Sequence, residues 1–255
     1  MLKILKHILI DILRSKVTIG YTLLLLIVSL SIISLEDSSS KGLLTLLNVL
    51  LILIPLMSLV YSTIYFYNSA EFIELLLSQP IKRSTLFIAL YLGVTFALLT
   101  SFVIGVGIPL VVNDFSAKSA LFIACGILLT TIFVSIALLA SVVTKDKAKG
   151  IGAAIILWVF FTIIYDAIVL LIMFQLSDYP IEKAMISFCT LNPIDLARVL
   201  ILLKLDNAAL MGYTGALFME FFGNSFGIIF SAIILLCWVA IPFFIALKKF
   251  KKKDL

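Results

Sequence analysis

Residues 120–174 read ALFIACGILLTTIFVSIALLASVV, then TKDKAKG, then IGAAIILWVFFTIIYDAIVLLIMF, so that a short basic turn separates two long apolar runs. An α-helix rises 1.5 Å per residue, so about 20 apolar residues cross the hydrocarbon core of a bilayer. The runs are continuous blocks without the alternation of barrel strands, which excludes a β-barrel. This stretch therefore predicts a transmembrane helical hairpin.

The rest of the chain repeats this pattern. Of its 255 residues, 63% are hydrophobic and only 13% are charged, whereas soluble domains are about 45–50% apolar and about 25% charged. We predict an all-α, polytopic integral membrane protein that forms a single transmembrane domain over residues 1–255. Its six predicted spans are residues 17–35, 43–67, 86–112, 120–143, 151–174 and 226–247.

The basic residues predict the orientation of these spans. Fourteen of the 19 Lys and Arg residues lie before the first span, in every second connection or after the last span, while the other connections hold eight of the 14 acidic residues. Because positive charge accumulates on the cytoplasmic side, we predict that both termini are cytoplasmic. The basic tail, residues 248–255, suits anionic lipid headgroups, so the net charge of +5 does not require nucleic acid as a partner.

Two segments outside the spans have helical amphipathicity. Residues 1–16 predict an interfacial helix, or alternatively an extension of the first span. Residues 68–85, NSAEFIELLLSQPIKRST, predict a short cytoplasmic helix that begins at Asn68 or Ser69. Its functional residues are predicted to be an apolar face, two acids beside it and the segment that ends it: Phe72, Leu75, Leu76, Glu71, Glu74, Pro80, Lys82 and Arg83. Such a helix lies on the membrane or enters a groove on a partner protein.

The outer connection, residues 175–225, is long and apolar for a hairpin turn. Asn192 and Pro193 begin a helix-like run, and Gly212 and Gly215 interrupt a second apolar stretch. We predict short helices or a re-entrant hairpin that is sheltered among the spans, because irregular backbone at membrane depth needs protein around it.

Catalytic motifs are absent from the sequence. It has one histidine, His7, and it lacks both the G-x-x-x-x-G-K-[ST] phosphate loop and the G-x-S-x-G nucleophile elbow. We therefore predict that the chain is not an enzyme and carries no cofactor. Met185 and Cys189, four residues apart, would share a helix face and are weak candidates for Cu(I) ligands, with ordinary apolar packing as the alternative.

Asp166 is the one acid deep within a predicted span. A charge there costs about 2.5–3.5 kcal/mol on insertion scales, so its side chain should face protein or water. It either lines a transport pathway or pairs with Arg198 of the outer connection. The alternative is a structural hydrogen bond that locks the fifth span to a neighbour.

Two stretches carry a family resemblance: LLLSQPIKR, residues 75–83, after the second span, and NPIDLAR, residues 192–198, before the sixth. With the six spans and the N-terminal helix, they resemble the membrane subunits of ABC-2 type exporters. One stretch of the outer connection resembles in particular the permeases of Nos systems, which mature the copper centres of nitrous oxide reductase. This stretch is residues 191–216, LNPIDLARVLILLKLDNAALMGYTGA.

The resemblance implies a permease in the bacterial inner membrane that forms a homodimer. Its partners would be a separate cytoplasmic ABC ATPase, which binds ATP and Mg²⁺, and a periplasmic accessory protein. The 68–85 helix would be the coupling helix that enters the ATPase. The outer partner would contact the hairpin, for which the candidate residues are Asn192, Pro193, Asp195, Arg198, Gly212 and Gly215.

Two other function classes remain open at this point. An ion-coupled secondary transporter would use intramembrane charges and broken helices, of which Asp166 is the only charged candidate. A non-transporting scaffold of a maturation complex would need no polar pathway at all.

Overall fold

The computed structural model describes residues 2–36, 39–113, 116–175, 182–205, 218–219, 222 and 225–252, and every regular element within these ranges is helical. The helices are α1 (Leu2–Arg14), α2 (Lys16–Leu35), α3 (Ser39–Asn68), α4 (Ala70–Leu77), α5 (Arg83–Phe102), α6 (Ile108–Asn113), α7 (Ala117–Val143), α8 (Lys147–Val159), α9 (Tyr165–Gln175), α10 (Glu182–Leu191), α11 (Pro193–Lys204) and α12 (Ser225–Lys252). A π-helical turn joins α5 to α6 at Val103–Gly107, and another joins α8 to α9 at Phe160–Ile164.

Six helical stretches are long and apolar enough to cross a membrane: Lys16–Leu35, Lys41–Asn68, Arg83–Asn113, Ala117–Val143, Lys147–Gln175 and Gly227–Lys252. The predicted all-helical class and the six apolar helices are therefore confirmed. The last helix continues to Lys252, so the start of the predicted basic tail is helical. Lysines in a final helical turn are favourable because they face the negative end of the helix dipole.

The centre of the bundle is α7. In its most apolar window 67% of the residues are buried, against 6% for the stretch made by α8 and α9. Helices α3, α5, α11 and α12 pack around α7. The exposed apolar side chains of the outer helices, such as Ile156 and Leu170, are the surface that a spanning helix presents to lipid.

The π turn at Val103–Gly107 is a point of close helix contact. A Cβ atom on Gly105 would lie 2.6 Å from the Cβ of Leu25, so only glycine lets α2 approach this closely. The Ser29 hydroxyl on α2 donates a 2.6 Å hydrogen bond to the Gly105 carbonyl. Small residues that admit a neighbouring backbone, with a hydroxyl bonded across the contact, are typical of packing between membrane helices.

The N-terminal helix α1 packs on the bundle through its apolar face. Ile8 and Ile12 are fully buried, and Ile8 fits against Gly93 of α5, where a Cβ atom would overlap it. The chain then turns at Ser15, whose hydroxyl oxygen accepts a hydrogen bond from the Thr18 amide and so caps α2. The amphipathic pattern of residues 1–16 is thus used, at least in part, for packing against protein.

Candidate functional site

The short helix α4 connects α3 to α5 at one end of the bundle. Ile73 is buried at 1% exposure and anchors α4 to the core, while Phe72 and Leu76 are half-buried against it. Glu71 and Glu74 are exposed, and Leu75 presents 67% of its surface. The apolar face expected from sequence is therefore divided: Phe72 and Leu76 pack inward, and Leu75 points outward beside the two acids.

Ile73 was missed by the sequence analysis, although the signal was present. Ile73, Leu76 and Leu77 follow the i, i+3, i+4 spacing of one helix face, and this is the face that packs inward. At the start of α4, Ser69 occupies the N-cap position without a side-chain cap bond. Beyond its end, Pro80 and Lys82 are exposed, and Arg83 begins α5 half-buried.

Helix α4 borders on two other elements at this end of the bundle. The imidazole of His7 on α1 and the ring of Phe72 are 5.7 Å apart between centroids. On the other side, Lys147 Nζ donates a 2.7 Å hydrogen bond to Asn68 Oδ1, the last residue of α3 before the turn into α4. Helix α4 therefore lies beside α1, and the residue that ends α3 just before it is bonded to the start of α8.

The turn between α7 and α8 is held by a tyrosine from α3. The Tyr67 hydroxyl lies 3.3 Å from the Thr144 carbonyl oxygen and also contacts the Thr144 hydroxyl. Gly150 makes this position possible, because a Cβ atom there would overlap the phenol ring. As a result, the α7–α8 turn with Lys145, and the start of α8 with Lys147 and Lys149, are fixed to the helix that leads into α4.

At the other end of the bundle, Asp166, Asp195 and Arg198 meet. Arg198 Nη1 lies 3.0 Å from Asp166 Oδ2 and 3.3 Å from Asp195 Oδ1, so two carboxylates share one guanidinium nitrogen. The side chains of Arg198 and Asp166 are about a third exposed (33% and 32%), so this cluster is not sealed inside the bundle. The pairing of Asp166 with Arg198 that the sequence suggested is present.

Asn192 connects this cluster to the fifth span. Its side chain is fully buried, and its amide nitrogen donates to the Phe161 carbonyl (3.0 Å) and to Asp195 Oδ2 (2.9 Å). Its carbonyl oxygen accepts from the Ile194 amide (3.1 Å), which caps α11, and Pro193 takes the first helical position. Phe161 lies in the π turn between α8 and α9, a geometry frequent at functional sites.

The adjoining helix α10 is held from two sides. The last carbonyls of a helix have no intrahelical partners. The Tyr165 hydroxyl donates to the Phe188 carbonyl (2.7 Å), and Trp238 Nε1 donates to the Thr190 carbonyl (3.2 Å). Helices α10 and α11 are bent by 116° at Asn192, the geometry of a broken span or a re-entrant loop. The fifth and sixth spans thus each donate a hydrogen bond to the last turn of α10, beside this bend.

A cavity of about 260 Å³ opens beside the acid–arginine cluster. Asp166, Asp195 and Arg198 form its polar wall, and apolar side chains line the remainder. Met185 and Cys189, the weak metal candidates, both line it and are buried. Within the described part of the chain, no three or more His, Cys, Asp or Glu residues are grouped as a metal site. Gly212 and Gly215 lie outside the described residues.

These features define a helical membrane subunit with an exposed connecting helix at one end and a bent helical pair at the other. A sequence profile of the family described as ABC-2 family transporter protein matches residues 2–255. The chain therefore belongs to the ABC-2 family of transporter proteins, and the resemblance inferred from its sequence is confirmed. Members of this family are membrane subunits and not themselves catalysts.

The chain is also similar to a protein from Pseudomonas aeruginosa. This relative is described as "Probable ABC transporter permease protein NosY" and is 28% identical over 172 residues. The aligned region covers 63% of this chain and 62% of that protein, so the chain matches less than two-thirds of the relative's length.

Proposed function

We propose that this chain is the permease subunit of an ATP-driven transporter, inserted in the bacterial inner membrane with both termini in the cytoplasm. It works as a homodimer with a separate cytoplasmic ABC ATPase, which binds ATP and Mg²⁺. Membership of the ABC-2 family supports a transporter permease, and the missing phosphate loop agrees with a motor on another chain.

One observation carries the coupling role of α4. This helix turns Glu71, Glu74 and Leu75 outward, while buried Ile73 fixes it to the core. Because α4 is anchored, movement of a docked ATPase would displace α3 and α5 as rigid bodies. A loosely attached helix would move alone and leave the spans in place. A leucine flanked by two acids suits a partner groove with an apolar floor and basic edges.

The outer end supplies the other half of the proposed mechanism. Asn192 and Arg198 tie the bent pair α10–α11 to the fifth span, so rocking of the spans moves this pair with them. We assign Asp166 a positioning role within this tie, because its carboxylate is already engaged by Arg198. A periplasmic accessory protein would bind the outer hairpin, and movement of the hairpin would change that contact.

The similarity to the Pseudomonas relative supports a narrower proposal, in which the transporter serves the maturation of the copper centres of nitrous oxide reductase. In that role Met185 and Cys189 remain candidate soft ligands on the cavity wall. Replacing them with Leu and Ala should abolish reductase maturation in cells if they handle copper. Normal maturation would assign both side chains to packing.

The coupling role is tested by reversing the charge of α4 through the double variant Glu71→Lys/Glu74→Lys. We expect normal membrane insertion but loss of ATPase co-purification and of permease-dependent ATP hydrolysis. Glu36→Lys, an acid at the end of α2, is the matched control for charge reversal and should retain both. Undiminished ATPase binding by the double variant would refute docking through α4. If wild-type permease brings no ATPase from membranes, the ion-coupled carrier and the scaffold become the leading alternatives.

A further inference from the structure

Another cavity, of about 480 Å³, lies between the α1–α2 corner and the end of α3 that leads into α4. This volume falls within the roughly 300–1,000 Å³ typical of small-molecule sites. The lining of this cavity is polar in one part and apolar in another. Charged and amide side chains of Asp11, Arg14 and Asn68 line one part, and aliphatic side chains of Val17, Met57 and Ile64 line another.

The polar part presents two opposite charges side by side. Asp11 and Arg14 are three residues apart on α1, a spacing that places Cβ atoms about 5–6 Å apart on one helix face. The Tyr65 hydroxyl donates a 3.3 Å hydrogen bond to Asp11 Oδ2 and so orients that carboxylate. In the described residues no carboxylate forms an ion pair with Arg14, so its guanidinium is available to an anion.

The corner between α1 and α2 is fixed by hydrogen bonds. The Ser15 oxygen accepts from the Thr18 amide at 3.2 Å and lies 3.1 Å from the Tyr61 hydroxyl of α3. Tyr61 and Ser69 are buried, and both line the cavity. These hydrogen bonds fix the α1–α2 corner against α3, so the walls of the cavity are formed before a ligand binds.

The apolar part follows the beginning of the first span. Val17 is 55% exposed, and Met57 and Ile64 of α3 are half-buried. Both α2 and α3 are long and apolar enough to cross a membrane, and the cavity lies at the end of each that bears its polar residues. We therefore place its polar part at the membrane surface and its apolar part toward the hydrocarbon. Its occupant should carry a positive and a negative group at one end and an aliphatic chain at the other.

We propose that this cavity binds one phospholipid with a primary ammonium headgroup, of the phosphatidylethanolamine class. Arg14 contacts the phosphate, Asp11 accepts from the ammonium group, and an acyl chain lies along Val17, Met57 and Ile64. Asn68 and Ser69 lead directly into α4, so the bound lipid fills the space beside the root of this helix. The site depends on the membrane location of the chain and is independent of any ATPase.

The test is native mass spectrometry of the full chain, delipidated in mild detergent and titrated with defined lipids. We expect the wild type to bind one phosphatidylethanolamine per chain more tightly than phosphatidylcholine, whose quaternary ammonium cannot donate a hydrogen bond to Asp11. Arg14→Gln should weaken binding of both lipids about tenfold, the scale of one lost charge-assisted contact. Asp11→Asn should remove the preference between them, and Lys6→Gln, an exposed charge of α1 outside the cavity, should change nothing.

The wild-type comparison keeps the proposal testable even if a variant folds poorly. Equal affinity of the wild type for the two lipids would overturn the assignment of Asp11. Retention of phosphatidylethanolamine by Arg14→Gln at the wild-type level would overturn the site. Glycerophosphoethanolamine, which has the headgroup but no acyl chains, should not compete. Competition at equal concentration would show a site for soluble phosphate compounds instead of a lipid.

Discussion

Replacing Asn192 with alanine should loosen the end of the molecule that holds the bent α10–α11 pair more than any other single polar truncation there. The side chain is fully buried and makes three hydrogen bonds, to the Ile194 amide, the Phe161 carbonyl and Asp195 Oδ2. Together they cap α11, bind it to the π turn of the fifth span and supply a donor to a carboxylate. Alanine removes all three and leaves a buried carbonyl and a carboxylate with fewer partners.

The expected loss is the sum of three contributions of different size. An N-cap is worth about 1 kcal/mol. A hydrogen bond between membrane helices averages about 0.6 kcal/mol and reaches about 1.7. A hydrogen bond to a charged group contributes about 1.5–3 kcal/mol. Asn192→Ala should therefore cost about 3–6 kcal/mol. At about 2–4 °C per kcal/mol for a chain of this size, the melting temperature should fall by at least about 6 °C.

A second substitution separates these contributions. Asn192→Asp keeps the oxygen that caps α11 but loses the amide donor and places a carboxylate beside Asp195. If the donor matters as argued, Asn192→Asp is destabilised as much as Asn192→Ala in spite of its intact cap. Thermal unfolding in nanodiscs measures both, with the exposed Asn48→Ala on α3 as control. A melting temperature within 1 °C of wild type for either variant would refute the assigned role of the Asn192 amide.

Three further predictions concern other parts of the molecule. Arg198→Met should lower the melting temperature more than Asp166→Asn, because it leaves two carboxylates without their shared cation; equal shifts would mean that the guanidinium does not hold both acids. Gly105→Ala should cost about 1–3 kcal/mol because its Cβ would lie 2.6 Å from an α2 side-chain atom, whereas Gly20→Ala, with open space around it, should be tolerated in the same unfolding assay. A cysteine at Ser78, in a variant whose native cysteines are replaced, should resist an impermeant thiol reagent in whole cells and react in inverted vesicles; labelling in whole cells would reverse the proposed orientation.

The sequence predicted the position of the short helix α4 but not its contacts with the rest of the bundle. The capping residues, the apolar spacing and Pro80 within residues 68–85 predicted a short helix between two spans, and α4 lies there. The sequence did not predict which side chains of α4 pack against the bundle, because eight residues contain too few turns to decide which of several apolar side chains faces inward. The bonds of Tyr67 to Thr144 and of Lys147 to Asn68 join residues 77 and 79 positions apart, and no local pattern reports such pairs.

The cluster of Asp166, Asp195 and Arg198 was likewise predicted only in part. The cost of burying a charge made Asp166 conspicuous and suggested Arg198 as its partner. Asn192, by contrast, was predicted as part of an Asn-Pro helix start and as a candidate contact of the outer partner. Neither prediction accounts for its bond to Phe161. Cys189 and Met185 share a helix face, as expected, and the cavity they line is built by packing of α9, α10 and α11.

The sequence by itself determined the helical class and the number of apolar spans, because in lipid each helix must satisfy its own backbone and be apolar over about 20 residues. Those are local requirements that any single segment reveals. Only the tertiary structure decided that α7 is central, where the π turns open and that Asn192 joins two helices. Every span is apolar on all sides, so hydrophobicity does not distinguish a lipid-facing surface from a protein-facing one; close packing at small residues and a few hydrogen bonds make that choice.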